Sequence, residues 1–131
     1  MYTIKQLEKI ISGEWKTSNK QAKVNAVLQD SRKLDNPSST LFFAIKGDRL
    51  DGHHYLDKMY EKGVRNFVVC SAGVLEKLDG VNYVVVKDSL QAMQNLASFH
   101  RSKFNLPVVA ITGSNGKTIV KEWCHQMLQG D

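Results

Sequence analysis

Residues 108–118, Val-Val-Ala-Ile-Thr-Gly-Ser-Asn-Gly-Lys-Thr, constrain this 131-residue chain more than any other stretch. An apolar run of strand character enters a loop bracketed by Gly113 and Gly116, and a helix is predicted to open behind it. That arrangement turns backbone N–H groups and the positive end of a helix toward one point, which suits the phosphates of a nucleoside triphosphate. Gly113, Ser114, Asn115, Gly116, Lys117 and Thr118 are therefore the candidate ATP-phosphate site. Lys117, the candidate catalytic residue, can reach the outer phosphates, and the Thr118 hydroxyl can complete the shell of a Mg2+ ion. The pattern is shorter than the full phosphate-loop motif, because Ile111 stands where its first glycine would be. The plainer reading of the same residues is a glycine turn before a helix carrying an exposed lysine. The Gly-x-Gly-x-x-Gly spacing of dinucleotide folds is absent.

Composition sets the outer limits. Hydrophobic residues make up 42% and charged residues 24%, as in an ordinary folded domain rather than a disordered chain. No apolar run approaches the ~20 residues that cross a bilayer. The N-terminus also lacks the layout of a secretion signal, so no membrane partner and a cytoplasmic location are expected. The net charge of +5 is spread along the chain instead of clustered, which argues against nucleic acid and suits a phosphorylated small molecule. Cys70 and Cys124 read as reduced, packed thiols. None of His53, His54, His100 and His125 stands at zinc-ligand spacing.

Strands and helices alternate along the chain. Thr3 and Gln6 form a capping box ahead of a helix with Ile4, Leu7, Ile10 and Ile11 on one face, stopped at Gly13. Strands are predicted at 24–28, 41–45, 66–70, 82–86 and after Pro107. A short helix carries Leu56, Met59 and Tyr60, with Gly63 as its stop. Asp88 or Ser89 caps a longer helix, on which His100 is expected to be a boundary residue. Trp15 and Trp123 are expected to pack. The fold class is α/β, with a mixed or parallel sheet and flanking helices. A boundary at Lys103–Pro107 divides residues 1–105 from 106–131, the latter being the first strand-loop-helix of a second domain. A lone strand needs neighbours, so residues 107–131 are expected to dock on the first domain or on another copy.

A second polar cluster follows predicted strands: Asp30-Ser31-Arg32-Lys33-Leu34, then Lys46-Gly47, then Asp51-Gly52-His53. Ligands of open α/β sheets bind beyond the C-terminal ends of the strands. Hydroxyl, guanidinium, ammonium and imidazole groups there suit a nucleoside diphosphate. A solvated loop with a structural Asp30–Arg32 interaction fits the same residues.

Asp30-Ser31-Arg32, the run from Leu41 to His53, and Thr112 to Thr118 together resemble the Mur ligases, the ATP-dependent amide-forming enzymes of peptidoglycan precursor synthesis. The resemblance covers nearly the whole chain in one order. It implies a UDP-substrate N-terminal domain over residues 1–105 and the start of an ATP-binding P-loop domain over 106–131. It further implies that Ser31, Arg32, Lys46, Asp51, Gly52 and His53 lie in or near the site for a UDP-N-acetylmuramoyl-peptide. ATP and Mg2+ are the implied cofactors, and the substrate carboxylate is implied to pass through an acyl phosphate. Within the family, Arg32-Lys33-Leu34, Lys46-Gly47-Asp48-Arg49 and Val120-Lys121-Glu122 look most like the branch that adds D-alanyl-D-alanine. The branch adding the third stem-peptide residue is the competitor. Ile119 to Trp123 is also similar to a variant fused ahead of an alanine racemase. A chain of this extent is expected to lack ligase activity, because only thirteen residues follow Thr118. A non-catalytic nucleotide-binding module and a small-molecule kinase remain as alternatives, although a kinase leaves Asp30-Ser31-Arg32 and Asp51-Gly52-His53 unexplained.

Overall fold

The computed structural model describes residues 1–47 and 50–129. Asp48 and Arg49, part of the family-like loop, lie outside the described residues, as do Gly130 and Asp131. In chain order the elements are β1 (Tyr2–Thr3), α1 (Ile4–Leu7), β2 (Glu14–Thr17), β3 (Lys23–Val24), β4 (Ala26–Leu28), β5 (Thr40–Phe43), α2 (Leu56–Glu61), β6 (Asn66–Val69), β7 (Asn82–Val85), α3 (Ser89–Ser102) and α4 (Lys117–Leu128). Short 3-10 turns occupy Pro37–Ser39, Gly52–Tyr55 and Gly73–Lys77.

One five-stranded sheet runs β2-β7-β6-β5-β4, and β1 pairs with β3 in a small separate ribbon. Strands β4, β5, β6 and β7 are parallel, with Leu28 beside Phe42, Phe43 beside Val68, and Val69 beside Val85. β2 closes one edge antiparallel to β7. Alternation along each strand feeds two cores, as the period-two geometry of a strand requires. Leu41, Phe43, Val68 and Val84 face α1 and α3 and pack with Ile4, Leu7, Ala92 and Leu96. Phe42, Ala44, Phe67 and Val69 face the other way, onto Leu56 and Met59 of α2 and Leu75. Phe42 and Phe67 meet edge to face at 6.4 Å. Each such fully buried side chain contributes about 1.5–3 kcal/mol through apolar burial. The α/β class with its mixed sheet is as the sequence predicts.

The caps also agree with the sequence. The Thr3 hydroxyl accepts the Gln6 N–H while the Gln6 carboxamide accepts the Thr3 N–H. Asp88 accepts from the N–H groups of Leu90 and Gln91 and caps α3. Its neighbour Ser89 is not the cap: it is buried and donates to the Ala44 carbonyl at 2.8 Å, tying α3 to the end of β5. His100, expected at a boundary, is exposed, with its Nδ1 2.9 Å from the Tyr2 hydroxyl.

Several expectations change. The predicted strand at 24–28 is two strands, because the chain leaves the small ribbon for the main sheet at Asn25, whose N–H donates to the Ser39 carbonyl. β2 escaped prediction, since its Glu14-Trp15-Lys16-Thr17 pattern buries no residue fully and its order comes from pairing with β7. Gly13 does more than stop α1. A Cβ there would lie 2.4 Å from the Val85 carbonyl oxygen, so only glycine lets the chain cross this close to β7. Residues 108–111 form no strand, because no neighbouring strand is hydrogen-bonded to them among the described residues. Residues 104–129 are exposed apart from half-buried Ile111 and Cys124, so the expected docking of this arm on the preceding part of the chain is not seen among the described residues. Trp123 is 62% exposed rather than packed.

At the end of the sheet opposite the C-terminal strand tips, the buried Asn66 and Asn82 form a polar ladder that ends on the backbone of exposed Asn19. Asn19 N–H donates to the Asn82 carboxamide oxygen, Asn82 Nδ2 donates to Asn66 Oδ1, and Asn66 Nδ2 donates to the Thr40 carbonyl. Truncation of the middle rung leaves the buried Asn66 carboxamide oxygen without its donor. Asn82→Ala is expected to cost about 1–3 kcal/mol. Urea unfolding followed by circular dichroism should show a lower midpoint, and an unchanged midpoint would refute the ladder's role.

Candidate functional site

The parallel register brings the C-terminal ends of β4, β5, β6 and β7 to one edge. The Asp30 loop leaves β4 there. Asp30 accepts the Arg32 N–H at 3.0 Å, and its two carboxylate oxygens take Arg32 Nε at 2.9 Å and Nη2 at 2.8 Å. The side-chain hydrogen bond from Arg32, aided by its backbone N–H, lowers the Asp30 pKa to about 2, and the same pairing raises that of Arg32. The Arg32 side chain is nevertheless 86% exposed. A surface pair of this kind adds little stability. Its effect is orientation, because the guanidinium is aimed by one edge while its Nη1 has no hydrogen-bond partner among the described residues.

Ser31 and Arg32 line a groove of about 570 Å³ together with Gly52, Tyr55 and Lys58. The Lys62 ammonium lies 3.4 Å from the Ser31 carbonyl. Tyr55, Lys58 and Lys62 are absent from the sequence-based site. Their spacing at i, i+3 and i+7 through the start of α2 is the signal that could have found them, since such residues share one helical face.

Lys46 and Asp51 form an isolated antiparallel bridge, and the Gly47 N–H donates to the Leu50 carbonyl at 2.9 Å. Gly52 then passes against the end of β5, and its N–H donates to the Ile45 carbonyl. A Cβ on Gly52 would lie 2.7 Å from the Ile45 nitrogen and 2.8 Å from Ala44 Cα. The glycine of Asp-Gly-His is thus a steric requirement of the turn. Asp51 accepts the His53 N–H at 2.9 Å and meets His53 Nδ1 at 2.6 Å. Those contacts, the backbone one first, hold the Asp51 carboxyl below its ordinary range. His53 Nε2 accepts the Cys70 N–H at 2.9 Å.

Lys46, Asp51 and His53 line a neighbouring depression of about 590 Å³ with His54, Asp57 and Cys70. Arg32 and His53 therefore share one sheet edge but face two adjacent hollows, with the Asp51-Gly52-His53 turn between them. A larger hollow of about 720 Å³ lies beside β2 and the start of α3, and apart from Cys70 it holds none of the residues discussed so far as site candidates.

The glycine loop precedes α4. Gly116 takes φ 76° as its N-cap and Gly113 takes φ 150°, both in the region that favours glycine. The Lys117 ammonium donates to the carbonyls of Gly113 and Ser114. Backbone N–H groups, an ammonium and the Thr118 hydroxyl make a donor set that fits a triphosphate. No group of three or more His, Cys, Asp or Glu suited to a metal ion occurs among the described residues. A Mg2+ ion here would draw most of its ligands from phosphate and water, as is usual for that ion.

The Asp30–Arg32 pair has a pH signature. Because the folded pKa is depressed, the pair's contribution is present above the ordinary aspartate range near ~3.9 and is lost as pH falls through about 2. Carbon-detected titration of the Asp30 carboxyl should give a midpoint near 2, moving upward in Arg32→Ala. An ordinary midpoint in the unaltered chain would mean that the two side chains do not pair in solution.

Comparison with known proteins bears on what this edge is. The family model described as "Mur ligase family, catalytic domain" matches residues 23–101, which take in both polar loops and end before the glycine loop. The chain is 32% identical over 127 residues to a UDP-N-acetylmuramoyl-tripeptide–D-alanyl-D-alanine ligase of Bacillus subtilis, covering 96% of this chain and 27% of that protein. It is 38% identical over 97 residues to a UDP-N-acetylmuramoyl-L-alanyl-D-glutamate–2,6-diaminopimelate ligase of Alkaliphilus metalliredigens, covering 72% of this chain and 19% of that protein. A crystal structure of MurF from Acinetobacter baumannii superposes with a TM-score of 0.80 at 30% identity, covering 98% of this chain and 27% of that one. The chain spans about a quarter of the length of such relatives. With a family model over more than half its length, and an α/β architecture matched in a solved relative, this chain belongs to the Mur ligase family.

Proposed function

We propose that this chain is the substrate-holding part of an ATP-dependent amide ligase of peptidoglycan precursor synthesis, acting on UDP-N-acetylmuramoyl-tripeptide with D-alanyl-D-alanine as the incoming amine. The observation that carries the reading is the meeting of Ser31, Arg32, Gly52, Tyr55 and Lys58 in one groove at the C-terminal edge of a parallel sheet. A diphosphate needs donors that are oriented yet reachable. Arg32 meets both conditions, since Asp30 holds one edge of the guanidinium and solvent bathes the rest. The Lys58 and Lys62 ammonium groups add positive charge, and Tyr55 adds an aromatic wall. Lys46 and the Asp51-Gly52-His53 turn stand alongside.

Residues 1–105 are assigned to this task and residues 106–131 to the beginning of the ATP-binding part. ATP with Mg2+, when bound, supplies the phosphoryl group that turns the substrate carboxylate into an acyl phosphate. The part played by this chain's loop is positional. Lys117 would leave the Gly113 and Ser114 carbonyls for the outer phosphates, and Thr118 would offer its hydroxyl to the ion. The loop is exposed among the described residues, and on that ground this chain is assigned substrate binding and not amide formation. The reading in which the third stem residue is added draws on the diaminopimelate ligase similarity. It differs in the peptide carried by the nucleotide, a dipeptide instead of a tripeptide.

Titration of the labelled chain with UDP-N-acetylmuramoyl-tripeptide, followed by NMR, tests the reading. Amide shifts are expected at Ser31, Arg32, Gly52 and Tyr55. Arg32→Ala should weaken binding about 10- to 100-fold, as loss of a hydrogen bond to a charged group worth ~1.5–3 kcal/mol implies. Tighter binding of the dipeptide-bearing nucleotide would favour the diaminopimelate branch. Shifts confined to Gly113–Thr118 would instead indicate a plain nucleotide-binding module.

A further inference from the structure

Both nitrogens of the His53 ring are engaged inside the protein. Nδ1 lies 2.6 Å from Asp51 Oδ1, and Nε2 accepts the backbone N–H of Cys70 at 2.9 Å. Cys70 is the first residue after β6, whereas His53 belongs to the turn that follows β5. The imidazole therefore straps the turn to the neighbouring strand. The ring is largely covered, with 18% of the side chain exposed.

Hydrogen-bond chemistry fixes the state of this ring. A backbone N–H can only donate, so Nε2 must lack a proton and Nδ1 must carry it. A second proton would set the imidazolium N–H against the Cys70 N–H. The groups around the ring are Lys46 and Asp51 on the loop, His54 and Asp57 at the start of α2, and Cys70 at the end of β6. Asp51 would welcome the added charge, but it meets the ring at Nδ1, whereas the Cys70 N–H points at Nε2 on the other side. It cannot replace the lost acceptor. The Gly52 bond to Ile45 would be left as the turn's fastening to the sheet.

We propose that His53 is a positioning residue: a clasp that fastens the Asp51–Tyr55 turn to the end of β6 only while its imidazole is neutral, and so sets Gly52 and Tyr55 on the wall of the nucleotide groove. The consequence for binding rests on the substrate reading above, whereas the clasp itself is read without any ligand.

The experiment uses the whole ligand-free chain, labelled with 15N. At about pH 8 the ring spectrum should show the Nδ1–H tautomer. The Cys70 amide should be protected from hydrogen exchange after correction for the intrinsic pH dependence. Between about pH 8 and 5 that protection should fall ~10-fold or more, while Val84 in the middle of the sheet keeps its own. His53→Gln supplies a carboxamide oxygen that accepts from Cys70 and does not titrate, so its Cys70 protection should be the same at both pH values. An Nε2–H tautomer at pH 8, or Cys70 protection indifferent to pH in the unaltered chain, would overturn the clasp. In a parallel arm, affinity for UDP-N-acetylmuramoyl-tripeptide should drop over the same range in the unaltered chain and stay flat in His53→Gln. No binding at any pH, with the amide result intact, would remove the substrate reading and leave the clasp standing.

Discussion

The parallel ladder from β4 to β7 is the interaction on which the rest of the structure depends. Its register puts Leu28, Phe43, Val69 and Val85 at one edge, and the chain must leave each strand there. Ser31, Arg32, Lys46, Asp51, Gly52 and His53 sit on loops that begin at this edge, and Lys58 follows on α2. The ladder is held by burial on both faces, with Phe42 and Phe67 on one side and Phe43, Val68 and Val84 on the other. Loops on such a support can be short and polar without losing their place.

Local carboxylates finish the positioning. Asp30 aims Arg32 and Asp51 aims His53, each across a spacing of two residues. The same chemistry gives different results because the surroundings differ. Arg32 stays open to solvent, where an oriented cation can meet a phosphate at reduced entropic cost. His53 is mostly covered and uses both nitrogens internally, which ties the turn to the end of β6. Gly52 joins the two, since its missing side chain lets the turn press on Ala44 and Ile45.

Much of this was legible in the sequence. Continuous apolar runs such as Leu41–Ile45 signal strands covered on both faces, and the capping box at Thr3 and the cap at Asp88 follow from local chemistry. The loops carrying Asp30-Ser31-Arg32 and Asp51-Gly52-His53 were visible for the same reason, because polar residues follow apolar strands. What sequence could not supply was pairing. β2 lacks an apolar pattern and owes its order to β7. Val108–Ile111 has the pattern of a strand but no hydrogen-bonded neighbour among the described residues, so the pattern alone does not make one. Tyr55 and Lys58 reached the groove through the way α2 begins, and the strap from His53 to Cys70 links residues seventeen apart through the sheet.

The most direct test of the sheet edge as a sugar-nucleotide site is a crystal structure of this chain with UDP-N-acetylmuramoyl-tripeptide. The diphosphate is expected within hydrogen-bonding distance, ~2.7–3.2 Å, of the Arg32 guanidinium, with the uridine lying along the Ser31–Tyr55 groove. A nucleotide seated at the Asn82 end of the sheet, or in the hollow between β2 and α3, would contradict that placement.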